Sequence, residues 1–153
     1  MNAEQTLDEA VRNLRALILA GENYRQVLAQ VLQLGITETQ ALSYLAIHGE
    51  CGQTELAGHL GLTSSASTAL VDRLERQGIA ERYAHPTDRR RLLVRLTDRG
   101  RDVVDQSRRW LAASFDRVPP DELPALAAAL RLLAEDLRAR STRISSGEPF
   151  APT

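Results

Sequence analysis

The chain has 153 residues, 43% hydrophobic and 25% charged, a composition that suits one soluble domain with a buried core. Six Pro, nine Gly and no run of eighteen apolar residues exclude a collagen-like chain and a membrane-spanning helix. The chain does not start with a charged segment followed by an apolar one, so we expect a cytoplasmic protein without a secretory leader. The single cysteine, Cys51, excludes an internal disulfide and a sulfur-based metal cluster.

The net charge is −1, but positive charge is concentrated in the middle of the chain. Residues 1–50 carry three basic and six acidic side chains, residues 51–101 carry nine and six, and residues 102–153 carry seven and eight. All 19 basic residues are Arg, which more often reflects codon usage than function, although guanidinium groups bind phosphate in a bidentate way. A polyanionic partner would therefore contact the central third.

Two helices are predicted in the first third of the chain. Apolar residues recur at spacings of three and four over Leu7–Leu34, which predicts a long helix with one apolar face. We expect Gly35 to end this helix as its C-cap. Thr37 and Gln40 form a capping-box pattern that opens a second helix, which reaches His48.

A helix, a tight turn and a second helix are predicted next. The first helix covers Thr54–Leu60, the turn Gly61–Thr63, and the second helix runs from about Ser64 to Gln77 before Gly78. The 3.6-residue period gives this second helix one buried face and one small, polar, exposed face. The buried face contains Ser67, Leu70, Val71 and Leu74, and the exposed face contains Ser64, Ser65, Thr68 and Asp72.

A hairpin and two further helices complete the chain. Alternating apolar and charged residues at Ile79–Tyr83 and Leu92–Leu96 predict two strands, and the loop between them, His85–Arg91, carries three Arg. We expect Thr97 to cap a fifth helix that reaches about Phe115. Pro119, Pro120 and Asp121 open a sixth helix with an apolar stripe from Leu123 to Leu137, and the tail from Ser141 is expected to fray.

The unit Thr54–Thr97 is the strongest candidate for function, because a helix with short polar side chains in its first turns fits the DNA major groove. Ser64, Ser65 and Thr68 meet that condition, although the same residue types also cap helices. At the hairpin tip, Arg89–Arg91 could enter a minor groove, whose negative potential attracts Arg. We expect Asp88 to orient a neighbouring guanidinium. The alternative is a solvated charged turn.

Several sequence pieces, taken in order, match one family. They are Thr54-Glu55-Leu56-Ala57, Leu70-Val71-Asp72-Arg73-Leu74-Glu75, Gly78-Ile79, Pro86-Thr87-Asp88-Arg89-Arg90 and Val94-Arg95-Leu96-Thr97-Asp98-Arg99-Gly100. With these pieces the chain resembles the multiple antibiotic resistance regulators (the MarR family), which are dimeric winged-helix transcription factors. The resemblance covers almost the whole chain.

The resemblance implies specific DNA contacts. The family's wing motif, an Asp followed two positions later by an Arg, falls on Asp88 and Arg90, with Arg90 as the minor-groove or phosphate contact. Arg89 and Arg91 add positive charge. The base-reading positions fall on Ser64, Ser65 and Thr68, with Arg73 as a phosphate contact. Ser67 replaces an apolar side chain of many members, so either the packing there is looser or its hydroxyl also faces the groove.

The expected architecture is mostly helical with a small β-hairpin: a winged helix-turn-helix in a six-helix, MarR-like homodimer. Residues 1–36 and 98–144 would form the dimerisation helices, 37–97 the DNA-binding region with recognition helix 64–77 and wing 84–92, and 145–153 a flexible tail. Two-fold symmetry would place the recognition helices ~34 Å apart on an inverted-repeat, double-stranded operator, probing adjacent turns of the duplex. We expect the protein to act as a repressor.

Other residues suggest a ligand. Tyr44 and His48 stand four apart on the second helix, and with Trp110 they could line a crevice where relatives bind small aromatic or phenolic effectors, or they could simply pack the junction. Cys51 lies between His48 and His59 without the spacing of a zinc site, so we expect no metal and no cofactor.

Other function classes are weaker. The sequence has no phosphate-binding glycine loop and no catalytic carboxylate pair on a recognisable scaffold, so we expect no enzymatic activity. Two alternatives remain: a winged-helix protein-interaction module that does not bind specific DNA, and a regulator switched by the Cys51 thiol.

Overall fold

The computed structural model describes residues 2–149 and is mostly helical, as predicted. Within these residues the helices are α1 (Ala3–Leu32), α2 (Ile36–His48), α3 (Gln53–His59), α4 (Ser64–Arg76), α5 (Asp98–Ala112) and α6 (Leu123–Ser145), with a 3₁₀ turn at Ala113–Phe115. The strands are β1 (Cys51–Gly52), β2 (Ala80–Ala84) and β3 (Leu92–Leu96).

Helix α1 begins four residues before the predicted start because it has a complete capping box. The Asn2 side chain accepts a hydrogen bond from the Gln5 amide at 2.8 Å, and the Gln5 side chain accepts one from the Asn2 amide at 3.0 Å. The helix ends at Leu32, and Gln33 takes the left-handed conformation at φ 53°. The expectation that Gly35 is the C-cap of this helix is therefore wrong.

Gly35 is instead the N-cap of α2, with φ −71°. The predicted capping box of Thr37 and Gln40 is also wrong, because the helix has already begun at Ile36. A Cβ on residue 35 would overlap the carboxylate of Glu38, which folds back over the start of the helix. Any larger residue at this position would have to displace the Glu38 carboxylate, a contact that periodicity alone does not reveal.

Helices α3 and α4 form the predicted helix–turn–helix. Gly61 has φ 65° in the turn, and the Thr63 hydroxyl caps α4 by accepting from the Ala66 amide at 3.2 Å. Gly78, with φ 67°, follows the end of α4. The predicted buried face of α4 is confirmed, and it consists of Ser67, Leu70, Val71 and Leu74.

The three strands form an antiparallel sheet in the order β1-β3-β2. Strand β3 has the predicted bounds, and β2 begins one residue later than expected. In the centre of the sheet, Val94 pairs with Cys51 on one side and with Arg82 on the other. Strand β1 was not predicted, since two residues are too few to show an alternating pattern.

Helix α5 is attached to the sheet by a polar cap and a close backbone contact. The Thr97 hydroxyl accepts from the Gly100 amide at 3.0 Å, which confirms the predicted cap, and donates to the Gly78 carbonyl oxygen at 2.5 Å. A Cβ on Gly100 would overlap the carbonyl oxygen of Ile79. Gly100 therefore allows the helix to lie directly against the chain that enters β2.

The chain divides into two compact units between Arg108 and Arg109. In the first unit, side chains from α2, α3, α4 and the sheet form the core, and the largest fully buried apolar ones are Leu56, Leu70, Val71, Leu74 and Val94. In the second unit, α6 starts at Leu123 and continues to Ser145, so the fraying expected from Ser141 is wrong. The end of the predicted flexible tail, 150–153, lies outside the described residues.

The long helices bury little in this single chain. Ala29 is the one buried residue of α1, and α6 has none. Both helices expose large apolar side chains, which are Leu7, Val11, Leu17, Ile18, Leu19, Val27 and Val31 on α1, and Leu132, Leu133, Leu137 and Ile144 on α6. Between residues 2 and 149, no helix combines the length and the hydropathy needed to cross a membrane.

Candidate nucleic-acid interface

The first two turns of α4 expose the predicted hydroxyl groups. Ser64, Ser65 and Thr68 are all exposed. The Ser65 hydroxyl lies 3.2 Å from the hydroxyl of the N-cap Thr63, and either can be the donor. The Thr68 hydroxyl donates to the Ser64 carbonyl oxygen at 3.1 Å. This face therefore offers three short, exposed hydroxyl groups.

Ser67 does not belong to that face. It is 1% exposed, and its hydroxyl donates to the backbone oxygen of Gln53 at 3.4 Å. The expectation that this hydroxyl also faces the groove is therefore wrong, because the residue points into the junction of α3 and α4. A surface cleft of about 220 Å³, lined by Leu62 and Ala57 among others, lies beside it.

Arg73 has a partner inside the protein. Its Nε donates to the carboxylate of Glu38, whose side chain is 6% exposed, while the Arg73 side chain is 43% exposed. A buried carboxylate needs such a partner, since an unpaired buried charge is strongly destabilising. Arg73 thus anchors α4 to the start of α2, and the phosphate contact stays a prediction.

The wing tip is folded by backbone hydrogen bonds. The His85 amide donates to the Arg91 carbonyl oxygen at 3.0 Å, and the Arg91 amide donates to the Asp88 carbonyl oxygen at 2.9 Å. The Asp88 carboxylate accepts from the Arg90 backbone amide at 3.1 Å. Asp88 was expected to hold a guanidinium, and this is wrong: it fixes the backbone of the turn instead, as Asp residues commonly do.

The three arginines of the tip are available for a partner. Arg89, Arg90 and Arg91 are exposed, and none of their guanidinium groups forms an ion pair within residues 2–149. The turn geometry set by Asp88 therefore holds three cations in water without internal neutralisation.

Arg82 is a central residue that the sequence reasoning missed. Its side chain is 16% exposed, and one nitrogen, Nη1, donates to Asp72 at 2.7 Å and to Glu75 at 2.6 Å. Its backbone amide also donates to Glu75 at 2.8 Å. Arg82 lies on β2 and both acids lie on α4, so this side chain ties the wing to the helix. The sequence signal for this role was the pair of acids Asp72 and Glu75, which stand three residues apart on α4 and so can share one cation.

Gln53 extends this network to the start of α3. Its side-chain oxygen accepts from Arg82 Nε at 2.9 Å, and its side-chain nitrogen donates to the Thr68 hydroxyl at 3.0 Å. Arg82 Nη2 donates in turn to the Thr68 carbonyl oxygen at 3.0 Å. We call Arg82, Gln53, Thr68, Asp72 and Glu75 the wing–helix network, because it joins β2, α3 and α4.

A second set of contacts stiffens the base of the wing. Arg95 Nε donates to Glu81 at 2.8 Å, and the Arg95 guanidinium lies 4.4 Å from the centre of the Tyr83 ring. A hydrogen bond to Glu50 is the main cause that raises the pKa of Tyr83, since it stabilises the neutral phenol. The pairs cross from β2 to β3 and hold the two wing strands together.

The predicted effector residues have internal packing contacts. Tyr44 is 8% exposed, and its hydroxyl donates to Glu55 at 3.1 Å. Its ring centre lies 4.5 Å from that of His48 and 4.2 Å from that of His59. Trp110 lies on α5 in the second unit and is 60% exposed. The ring beside Tyr44 and His48 in the first unit is therefore His59.

A separate cleft of about 480 Å³ lies between α2, β3 and α5. Its charged lining consists of Glu50, Arg95, Arg101 and Asp105. Arg95 pairs with Glu81, and Arg101 pairs with Asp98. An anionic ligand in this cleft would have to compete with these existing pairs.

Cys51 does not have the properties of a reactive thiol. It is 5% exposed, and burial together with the nearby charge of Glu55 raises its pKa to about 11. A reactive thiol needs a lowered pKa and access to solvent, so this environment opposes the thiol-switch alternative. In the described part of the chain, no three His, Cys, Asp or Glu side chains are grouped so that they could hold a metal ion.

The helix–turn–helix of α3 and α4, followed by the hairpin of β2 and β3, defines a winged helix-turn-helix protein. A model of the MarR family matches residues 34–92. The chain is 33% identical over 117 residues to the HTH-type transcriptional regulator YcgE of Bacillus subtilis, covering 75% of this chain and 76% of that protein. The chain belongs to the MarR family of helix-turn-helix transcriptional regulators.

Solved structures agree with this assignment. A MarR family protein from Bacillus stearothermophilus matches 90% of this chain and 99% of its own with a TM-score of 0.67 and 25% identity. RV1404 from Mycobacterium tuberculosis matches 88% of this chain and 94% of its own with a TM-score of 0.63 and 33% identity. YcgE is a transcriptional regulator, which is a non-enzymatic role.

Proposed function

We propose that this chain is a homodimeric repressor that binds a pseudo-palindromic, double-stranded DNA operator. The observation that carries the proposal is the wing tip, where Arg89, Arg90 and Arg91 are exposed and unpaired within residues 2–149. A protein has no internal use for three adjacent unpaired cations held in a defined turn, whereas a narrow minor groove attracts them.

The recognition helix enters the major groove beside the wing. Ser64, Ser65 and Thr68 read base edges from the exposed face of α4, and short side chains let the helix backbone approach the DNA. Arg90 contacts the minor groove or a phosphate, with Arg89 and Arg91 adding charge. Ser67 has no part in this because it is buried, and Arg73 acts mainly through Glu38.

A second copy of the chain covers the apolar faces of α1 and α6. The exposed Leu, Ile and Val side chains on these helices are too numerous for a solvated monomer, and an isologous dimer buries such stripes. Two-fold symmetry then places two α4 helices about 34 Å apart, which requires an inverted repeat in the operator. The protein then acts in the cytoplasm, together with the DNA that it binds.

Repression follows from occupation of a promoter. An effector that favours another spacing of the two DNA-binding regions in the dimer releases the DNA. Tyr44, His48 and Trp110 stay predicted contacts for a small aromatic or phenolic effector. The tight packing of Tyr44 against His48 and His59 means that an effector there must displace existing contacts.

The proposal is tested by selecting genomic DNA fragments with the purified protein and by measuring the molar mass of the protein in solution by analytical ultracentrifugation. We expect a dimer and a reproducible inverted repeat. Arg90→Ala should weaken binding to the recovered site, whereas Arg140→Ala on α6 should not, because Arg140 already pairs with Asp136 far along the chain from the wing. A monomer, or uniform weak enrichment of fragments, would refute the proposal and favour a protein-interaction module.

A further inference from the structure

The wing–helix network sets the hydrogen-bonding polarity of one base-reading group. A Thr hydroxyl can both donate and accept, so its presence on α4 does not by itself say which base atoms it reads. The neighbours of Thr68 remove this ambiguity. A preference of this kind rests on the proposed function, in which α4 lies in the major groove.

Arg82 fixes which way the Gln53 amide points. A guanidinium has donors and no acceptor, so the Gln53 atom 2.9 Å from Arg82 Nε must be the side-chain oxygen. The other end of the amide, the NH₂ group, then faces the Thr68 hydroxyl at 3.0 Å. A flipped amide would place its NH₂ group against Arg82 Nε, donor against donor.

Thr68 therefore uses two of its three hydrogen-bonding positions inside the protein. Its oxygen accepts from Gln53, and its hydrogen points to the Ser64 carbonyl oxygen, 3.1 Å away. A lone pair is left for a partner outside. Turning the hydrogen outward would set a lone pair against the Ser64 carbonyl oxygen, which costs the existing bond and adds repulsion. By contrast, the Ser65 hydroxyl can donate or accept towards Thr63.

We infer that Thr68 presents a hydrogen-bond acceptor to the DNA and reads an exocyclic base amine, either adenine N6 or cytosine N4. Gln53 and Arg82 are the positioning residues that fix this preference. These amines are the base donors available in the major groove. Guanine O6 and N7 and thymine O4 are acceptors, and reading them requires Thr68 to give up its bond to Ser64. Neither Gln53 nor Arg82 lies on the recognition helix.

The test uses the full-length protein and the operator recovered by fragment selection. In both half-sites, each adenine is replaced by purine and each cytosine by 2-pyrimidinone, which removes one amine at a time. Guanine→2-aminopurine and thymine→5-methyl-2-pyrimidinone substitutions remove acceptor oxygens instead. Binding is measured by fluorescence anisotropy for the wild type, Thr68→Val, Thr68→Ser, Gln53→Met and Thr142→Val, and thermal melting confirms that each variant is folded.

Thr142→Val is the matched control, because the Thr142 hydroxyl makes the same bond to a carbonyl four residues earlier, Arg138, but on α6. At one position we expect loss of the amine to weaken the wild type and Thr142→Val by about fivefold per half-site, the effect of one net hydrogen bond. Loss of the same amine should weaken binding of Thr68→Val by less than twofold. In Thr68→Ser, which restores the hydroxyl, the fivefold penalty for loss of the amine should return. In Gln53→Met the penalty should fall to about twofold.

Other outcomes overturn the inference in distinguishable ways. If an operator is recovered but the penalty that Thr68→Val abolishes is the one for loss of an acceptor oxygen, or if Thr68→Val abolishes no penalty, the assigned polarity is wrong while the proposed function stands. If Gln53→Met keeps the full fivefold penalty, Gln53 does not position Thr68. If no operator is recovered, the proposed function fails first and the inference falls with it.

Discussion

Replacement of Arg82 by Met measures how strongly the wing is held to α4. The side chain is 16% exposed and makes four hydrogen bonds of 2.6–3.0 Å, to Asp72, Glu75, Gln53 and the Thr68 carbonyl. A hydrogen bond to a charged group contributes about 1.5–3 kcal/mol, and bonds that share one group are not additive.

Water also recovers part of the loss, since the acid side chains of Asp72 and Glu75 are 46% and 35% exposed. We therefore expect the free energy of unfolding to fall by about 3 kcal/mol, a value between one bond and the sum of all four. For a chain of this size that lowers the melting temperature by about 6–12 °C.

The assay is urea unfolding followed by far-UV circular dichroism at equal protein concentration, because a dimer's stability depends on concentration. Arg140→Met is the control: its ion pair with Asp136 is more than half exposed at both ends and should contribute less than about 0.5 kcal/mol. If Arg82→Met lies as close to the wild type as the control does, the network is hydrated in solution and does not hold the wing.

Three further changes test other parts of the structure. Arg90→Ala should flatten the dependence of log affinity on log salt by about 1.8, one phosphate per half-site, and an unchanged slope in anisotropy titrations would contradict a phosphate contact. Cys51 has a pKa raised from 9.0 to about 11, so at pH 8 it should react with a disulfide reagent about a hundredfold more slowly than in the unfolded chain. The free energy of unfolding should also fall between about pH 9 and 11, because the thiol of the unfolded chain ionises first. Cys51→Ser should abolish that fall. Gly100→Ala should lower the free energy of unfolding by about 1–3 kcal/mol, because its Cβ would overlap the carbonyl oxygen of Ile79. The control Gly21→Ala, in open space on α1, should raise it by up to about 1 kcal/mol. Equal melting temperatures of the two variants would mean that α5 moves away from Ile79 without cost.

Local pattern predicted much of the fold. The period of α4 correctly separated buried Ser67 and Leu70 from exposed Ser64 and Thr68, because a helix on a core must turn its apolar side inward. The bounds of β3 were also correct. The role of Gly35 was not predictable, since it depends on where the Glu38 side chain folds in three dimensions.

The sequence predicted which side chains of the candidate site are exposed. It did not predict which side chains pair with each other. Arg89–Arg91 follow from a charged turn between two strands. The partners of Arg82 lie 10 and 29 residues away, at Asp72 and Gln53, and the two acids of α4 do not by themselves indicate which basic residue they meet. The pairing of Arg73 with Glu38 was not predictable either, because the two residues are 35 positions apart in the sequence.

A single guanidinium links the wing to α4, the two elements that we propose contact DNA. Arg82 stands on the strand that leads to the wing tip, and it holds Gln53 and α4 through the same set of hydrogen bonds. Hydrogen bonds lengthened by about an ångström are largely lost, so a small shift of β2 releases Gln53 as well as the wing. An effector that moves the wing would therefore lower affinity and relax the base preference of Thr68 together, whereas a change confined to Arg89–Arg91 would lower affinity alone.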